Sequence, residues 1–422
     1  MAGGARLTAD TVVVGAGSAG LVIAQALSRD RDVVLIEGGP LTVPSSATRR
    51  VTALPLAGDR VRRYRESHGR DVVRGRGLGG SAVVNGGYFL RGHRSDYAAW
   101  PWPQDPIAAA FDRLDGGAAG GGFMRVSAFA DDELGEVAGP FEAYWRAHGL
   151  VALADAPWAG IGLNRVRSNR FDGARWTAAD ALPVDGGPTL LRATATALVV
   201  ERGRVLGVET TAGRIHAAET ILAAGTLGSG LLLAPTIGPL VTREHPERIV
   251  RFTPRRPLPP VPLLQTVFHT ADGLELRCYG DDFASYIPGM ERRGVPIGIA
   301  DMSRPTRGVL GPGGALDLGE PDAESRARMA RGVDQVVAML GSPAFADLVE
   351  PGSIAVDPVI GMSSHAWGTL PFGERVDAGG RIDGLDGARV VDGSVLPELL
   401  WSGPHASVLA AASLIAETIR AE

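Results

Sequence analysis

The sequence predicts an α/β fold in which a Rossmann-like nucleotide-binding domain is joined to an α+β second domain built on an antiparallel sheet. Three observations predict it. A β-branched run, Thr11 to Val14, feeds into Gly15-Ala16-Gly17-Ser18-Ala19-Gly20 and then an amphipathic stretch, Leu21 to Leu27. A second strand, Asp32 to Ile36, ends on the acidic Glu37. Far downstream, after a proline-dense segment from Pro254 to Pro262, the stretches Thr266 to His269 and Leu274 to Arg277 alternate as antiparallel strands do.

The first two observations make one unit of strand, tight turn, helix and strand. Gly15 allows the turn, Gly17 lets backbone approach a pyrophosphate, and Gly20 lets helix and strand pack closely. The helix start offers unpaired N–H groups to phosphate, and Glu37 stands where such folds hold a ribose hydroxyl.

Beyond Glu37 an irregular, Arg-rich segment runs to Asp71, and a second glycine cluster follows, Gly75-Arg76-Gly77-Leu78-Gly79-Gly80-Ser81, leading to Val84-Asn85-Gly86-Gly87. So many glycines imply backbone lying close to something else. From Trp100 to Phe141 the chain turns to Pro, Ala and Gly without clear periodicity, which reads as an excursion into the other domain. Leu190 to Leu206 reads as a hairpin, with strands Thr189 to Arg192 and Ala197 to Val200, a turn at Arg202-Gly203, and a return from Val205 to Thr210. A strand at Glu219 to Ala223 ends in Ala224-Gly225-Thr226, another strand-to-helix junction. Asp322 to Leu340 carries Met329, Val333, Val336, Val337 and Leu340 at helical spacing. The last segment holds His365, a strand Arg389 to Val391 ending at Asp392-Gly393, and a terminal helix that begins at Pro404-His405-Ala406.

Composition narrows the function. The 422 residues suffice for two domains, and a net charge of -5 with pI near 6.0 argues against a nucleic-acid partner. All 42 basic side chains are arginine, which says more about coding bias than chemistry. Cys278 is the single cysteine, so an intrachain disulfide and a cysteine metal cage are excluded, and no metal site is expected. No apolar run reaches the roughly 18 residues of a membrane span. A cytoplasmic location is the expectation.

These segments together resemble the glucose-methanol-choline (GMC) flavoprotein oxidoreductases. The resemblance rests on the opening dinucleotide motif, Gly77 to Asn85, Ile221 to Leu232, Met302 to Asp317, and the block from His365 to His405. Gly86-Gly87-Tyr88, Leu274 to Tyr279 and Ser402 to Ala406 look most like the branch associated with the peptide-derived redox cofactor mycofactocin. The resemblance implies FAD. It places the cofactor on Gly15, Gly17, Ser18, Ala19, Gly20, Glu37, Gly77, Gly80, Ser81, Asn85, Gly86, Ala197, Ala224, Gly225, Asp392, Gly393, His405 and Ala406. It implies non-covalent binding, because relatives that tether the flavin carry histidine near the position of Val84. It implies an FAD-binding domain over 1–100, 160–235 and 355–422, and a shortened substrate-binding domain over 101–159 and 236–354. Two departures stand out: the loop between Gly228 and His245 is much reduced, and Gly230 replaces the usual proline. Arg243-Glu244-His245-Pro246 still resembles the motif that follows that loop.

Implied chemistry follows. His405 and His365 would face the flavin as a catalytic pair, one taking the hydroxyl proton of an alcohol while the other hydrogen-bonds the alkoxide. The remaining six histidines carry no comparable context. Three readings stay open: an FAD-dependent alcohol dehydrogenase or oxidase, with a small alcohol or a mycofactocinol-type cofactor as substrate; a lyase of the hydroxynitrile type; and an FAD-retaining binding protein.

Overall fold

Strand and helix alternate at the N-terminus because valine-rich runs favour extended backbone while Gly17 opens a helix that needs no side-chain cap. The computed structural model describes residues 7–149, 157–182 and 186–422. Its first sheet has seven strands. Leu7–Val14 lies between Val33–Glu37 and Gly213–Leu222, both parallel to it, and Thr189–Arg192 extends the sheet beyond Val33–Glu37. The long strand Gly213–Leu222 also takes the antiparallel strand Arg204–Thr210 along its first part and the parallel strand Ala388–Val390 along its last. Thr189–Arg192 is thus a parallel partner of the second strand and no part of a hairpin; the hairpin is Ala195–Glu201 with Arg204–Thr210.

Helices Ser18–Leu27 and His405–Arg420 pack against each other on this sheet. Helix Gln104–Asp115 joins them, burying Ile107, Ala110, Phe111 and Leu114 in the same core. Those four positions are spaced as one helical face, a period obscured in sequence by the flanking Pro, Ala and Gly.

The second sheet also has seven strands, in the order Ala355–Val356, Pro246–Phe252, Val295–Asp301, Leu274–Tyr279, Leu264–His269 and Gly162–Arg165, with Gly361–Met362 beside Pro246–Phe252. Its pairings are all antiparallel. Residues on either side of this sheet's main run, Gly162–Arg165, Ala355–Val356 and Gly361–Met362, thus pair within it. Helices Ala138–Ala147 and Ala323–Leu340 cover one face and bury Leu274, Leu276 and Cys278 with Phe141, Trp145, Met329 and Val336. Strand alternation then sends Glu275, Arg277 and Tyr279 to the opposite face, and that face is buried too. A buried sheet face bearing charges must satisfy them internally, and this one borders the candidate site.

Candidate active site

Close backbone approach organises the nucleotide end. A Cβ on Gly20 would lie 1.8 Å from the Gly15 carbonyl oxygen, and one on Gly80 would lie 2.8 Å from the Gly17 Cα. Gly15 and Gly80 also adopt φ of 107° and 56°, which glycine alone reaches without strain. The two glycine clusters thus rest on each other, and Glu37 ties them together. Its carboxylate accepts from Ala16 N at 3.0 Å, Gly39 N at 2.7 Å and Gly77 N at 3.0 Å. Ser18, Ala19 and Gly20 form the first turn of the uncapped helix.

The remaining cofactor positions fall on neighbouring turns. Ser81 Oγ accepts from Gly75 N, and Asn85 Oδ1 accepts from Gly87 N, so both side chains brace the second glycine segment that includes Gly86. Asp392 accepts from Ser229 Oγ at 2.5 Å and from Ser394 N, which fixes the Asp392-Gly393 turn to the helix that follows Ala224 and begins at Gly225. His405 and Ala406 open the C-terminal helix, and His405 Nε2 lies 3.1 Å from Ser18 Oγ. Two helix starts therefore converge. Ala197 is exposed on the outer strand of the antiparallel arm.

These residues fit a dinucleotide cofactor. A helix start without a side-chain cap, glycines that leave no room for Cβ, and a His405 Nδ1 that is buried without a partner all offer contacts to such a group. Burial lowers the His405 pKa to about 4, so its ring is neutral at pH 7.

His365 is held with unusual care. Glu244, fully buried, accepts from the backbone N–H of His365 at 2.8 Å and of Ala366 at 2.9 Å, as well as from His245 N. Ser364 and Ala366 adopt φ of 63° and 35°, so strained backbone flanks the ring on both sides. His365 Nδ1 is hydrogen-bonded to His245 Nδ1 at 2.8 Å, and His245 Nε2 to the Leu400 carbonyl oxygen at 2.8 Å. On its other side, His365 Nε2 faces Gly403. A Cβ there would lie 3.6 Å from Nε2 and 3.2 Å from the Tyr88 ring, so glycine keeps this space open.

The charged face of the second sheet forms the adjoining wall. Glu275 accepts from Tyr88 Oη at 2.7 Å, from Arg277 Nε at 2.7 Å, and bonds His269 Nε2 at 2.8 Å; His269 Nδ1 continues to His93 Nε2 at 2.9 Å. Burial would raise the Glu275 carboxyl, but Arg277 and His269 hold it well below the usual range. Arg277 also binds Glu247 and Ser363 Oγ, two residues before His365.

The structure therefore places His365 and His405 in different surroundings, one beside His245, the other beside Ser18 and the Phe89 ring. Three histidines without expected roles, His245, His269 and His93, belong to the site's polar networks. For His245 the signal was present in Arg243-Glu244-His245-Pro246, and for Glu275 in the alternation of Leu274 to Tyr279. The reduced loop is explained as well: helix Gly225–Ile237 passes almost directly into strand Leu240–Glu244, which delivers His245. At Gly230 a Cβ would sit 2.5 Å from Leu310 Cδ1.

A family model described as GMC oxidoreductase matches residues 9–130. The chain is 28% identical to an uncharacterized GMC-type oxidoreductase of Rhodococcus erythropolis, covering 95% of this chain and 96% of that protein. It is 30% identical to an oxygen-dependent choline dehydrogenase of Brucella anthropi and 31% identical to a pyridoxine 4-oxidase of Microbacterium luteolum, spanning 51% of each. In fold it is similar to a pyridoxine 4-oxidase structure from Mesorbium loti, with TM-score 0.82 and 23% identity over 98% of this chain and 99% of that one.

Proposed function

From the premise that the chain belongs to the GMC oxidoreductase family, we propose that it is an FAD-dependent oxidoreductase that oxidises an alcohol to a carbonyl, with His365 as the base. The observation that carries this reading is His365 itself: a ring fixed by Glu244 and His245, with Nε2 turned toward the space beside Gly403 and Tyr88.

The alcohol O–H bond breaks and its proton is taken on His365 Nε2; the oxygen lone pair closes the C=O bond as the α-hydrogen leaves with its electron pair. When bound, FAD supplies the acceptor for that hydride. Burial, with His245 and Arg277 adding to it, holds the His365 pKa well below its ordinary value, so the ring is neutral and able to accept. The imidazolium that forms stands next to the developing alkoxide and stabilises it. Tyr88 bounds the space with its ring, its hydroxyl held by Glu275 and Ser402. His405 and the helix it opens serve the cofactor end.

The finer proposal is a mycofactocinol-type alcohol, which rests on two segments of that resemblance, Gly86-Gly87-Tyr88 and Ser402 to Ala406, meeting where Tyr88 contacts Gly403. Among the described residues no helix is long and apolar enough to cross a membrane.

Anaerobic mixing with candidate alcohols tests the activity: bleaching of the flavin band is expected. A protein that releases products of carbon–carbon cleavage while its flavin stays oxidised is a lyase, and one that does neither is a binding protein. Acid precipitation should release all the yellow colour, because Val84 offers no nucleophile at the position where tethering relatives carry histidine. Flavin left in the pellet would overturn non-covalent binding.

A further inference from the structure

We infer that His245 is a positioning residue that fixes the tautomer of His365 and so decides which of its ring nitrogens is free to accept a proton. The inference rests on the reading of His365 as the base. One end of the hydrogen-bond relay has a fixed polarity. The Leu400 carbonyl oxygen can only accept, so the contact at 2.8 Å requires His245 Nε2 to carry hydrogen. A neutral imidazole has one N–H, so His245 Nδ1 is then bare and can only accept. The Nδ1 to Nδ1 contact at 2.8 Å is therefore donated by His365, whose own single hydrogen lies on Nδ1. His365 Nε2 is left with its lone pair, on the side that faces Gly403 and Tyr88.

The neutral state on which this logic depends is supported by surroundings. His245 is fully buried, and burial with Arg277 lowers its pKa to about 3. Its ring packs against Trp367, with centroids 4.3 Å apart. The same chain is closed to proton escape: beyond His245 Nε2 stands a backbone carbonyl that cannot be protonated usefully. After His365 Nε2 takes up a proton, the ring can share its Nδ1 proton with His245 but with no group beyond it, so the charge stays within this pair, next to the substrate oxygen. A histidine whose second nitrogen is held by a fixed acceptor is the arrangement by which proteins select a tautomer.

Two measurements test the role. Nitrogen-15 chemical shifts of the ring nitrogens in the FAD-loaded protein should show His365 protonated on Nδ1 and bare on Nε2, and His245 the reverse. The opposite assignment for His365 overturns the inference, whether or not the protein oxidises alcohols; failure of every alcohol to bleach the flavin, with the tautomer as stated, would instead sink the assignment of His365 as base. The second measurement uses His245→Ala and His245→Asn. Loss of an orienting partner typically costs about 10- to 100-fold in rate, and His245→Ala should show such a fall in the flavin reduction rate together with a mixed tautomer signal at His365. His245→Asn offers a side-chain oxygen to His365 Nδ1–H and should recover most of both. Equal rates and an unchanged His365 spectrum in His245→Ala would overturn the inference. If His245→Ala does not retain FAD, the spectrum of His245→Asn against the parent decides: a His365 resonance protonated on Nε2 in that variant refutes the proposed control.

Discussion

Replacing His365 by alanine is expected to leave FAD bound and to slow flavin reduction by about 10²- to 10⁴-fold, the range a positioned general base supplies. FAD should stay because the hydrogen bonds of His365 go to His245 and Glu244, on the substrate side of the site. The pH profile has a definite sign. Because burial, His245 and Arg277 push the His365 pKa well below the ordinary histidine value, the ring is neutral through pH 7, and activity should be level there. It should fall only in acid, as Nε2 becomes protonated. A loss centred at or above neutrality, or a variant that reduces flavin at the parent rate, would remove His365 from the mechanism. His405→Ala should behave differently. Its ring bonds Ser18 at the start of the first helix, so its effect is expected first in FAD affinity, measured by fluorescence titration, with the acid limb of the pH profile unmoved.

Glu37→Ala is expected to abolish stable FAD binding and to lower the stability of the protein itself. The carboxylate takes three backbone N–H groups, from Ala16, Gly39 and Gly77, and is 9% exposed. Leaving a buried donor unpaired costs on the order of 1 to 3 kcal/mol. Three at once make a large fraction of the ~5 to 15 kcal/mol that holds a typical protein folded. The two glycine clusters would separate, and the surface offered to the cofactor would go with them. Glu37→Gln keeps one oxygen for two of these donors and should fall between the parent and Glu37→Ala in both thermal midpoint and FAD affinity. If Glu37→Ala binds FAD as tightly as the parent, the carboxylate has no role in joining the clusters.

The readings that proved legible in the sequence share a physical trait: each depends on residues close together in the chain. Thr11 to Glu37 specifies strand, turn, helix and strand because glycine's freedom, β-branching and apolar periodicity act within a few residues. The terminal helix after Pro404 and the helix over Asp322 to Leu340 follow from the same kind of local rule. The helix Gln104–Asp115 carried its period at Ile107, Ala110, Phe111 and Leu114, but which core received that face was a matter of contact with the C-terminal helix, almost 300 residues later in the chain.

By itself, then, the sequence determined an α/β nucleotide-binding domain with an antiparallel second sheet, the glycine turns, Glu37 at its strand end, and His365 and His405 as groups worth placing. Only the tertiary structure decided what those groups touch. Glu37 is 40 residues from Gly77, His365 is 120 from His245 and His405 is 387 from Ser18, yet each pair is in hydrogen-bond contact. Hydrogen-bond partners set a tautomer and burial sets a proton affinity, and both are properties of three-dimensional surroundings that no local pattern encodes.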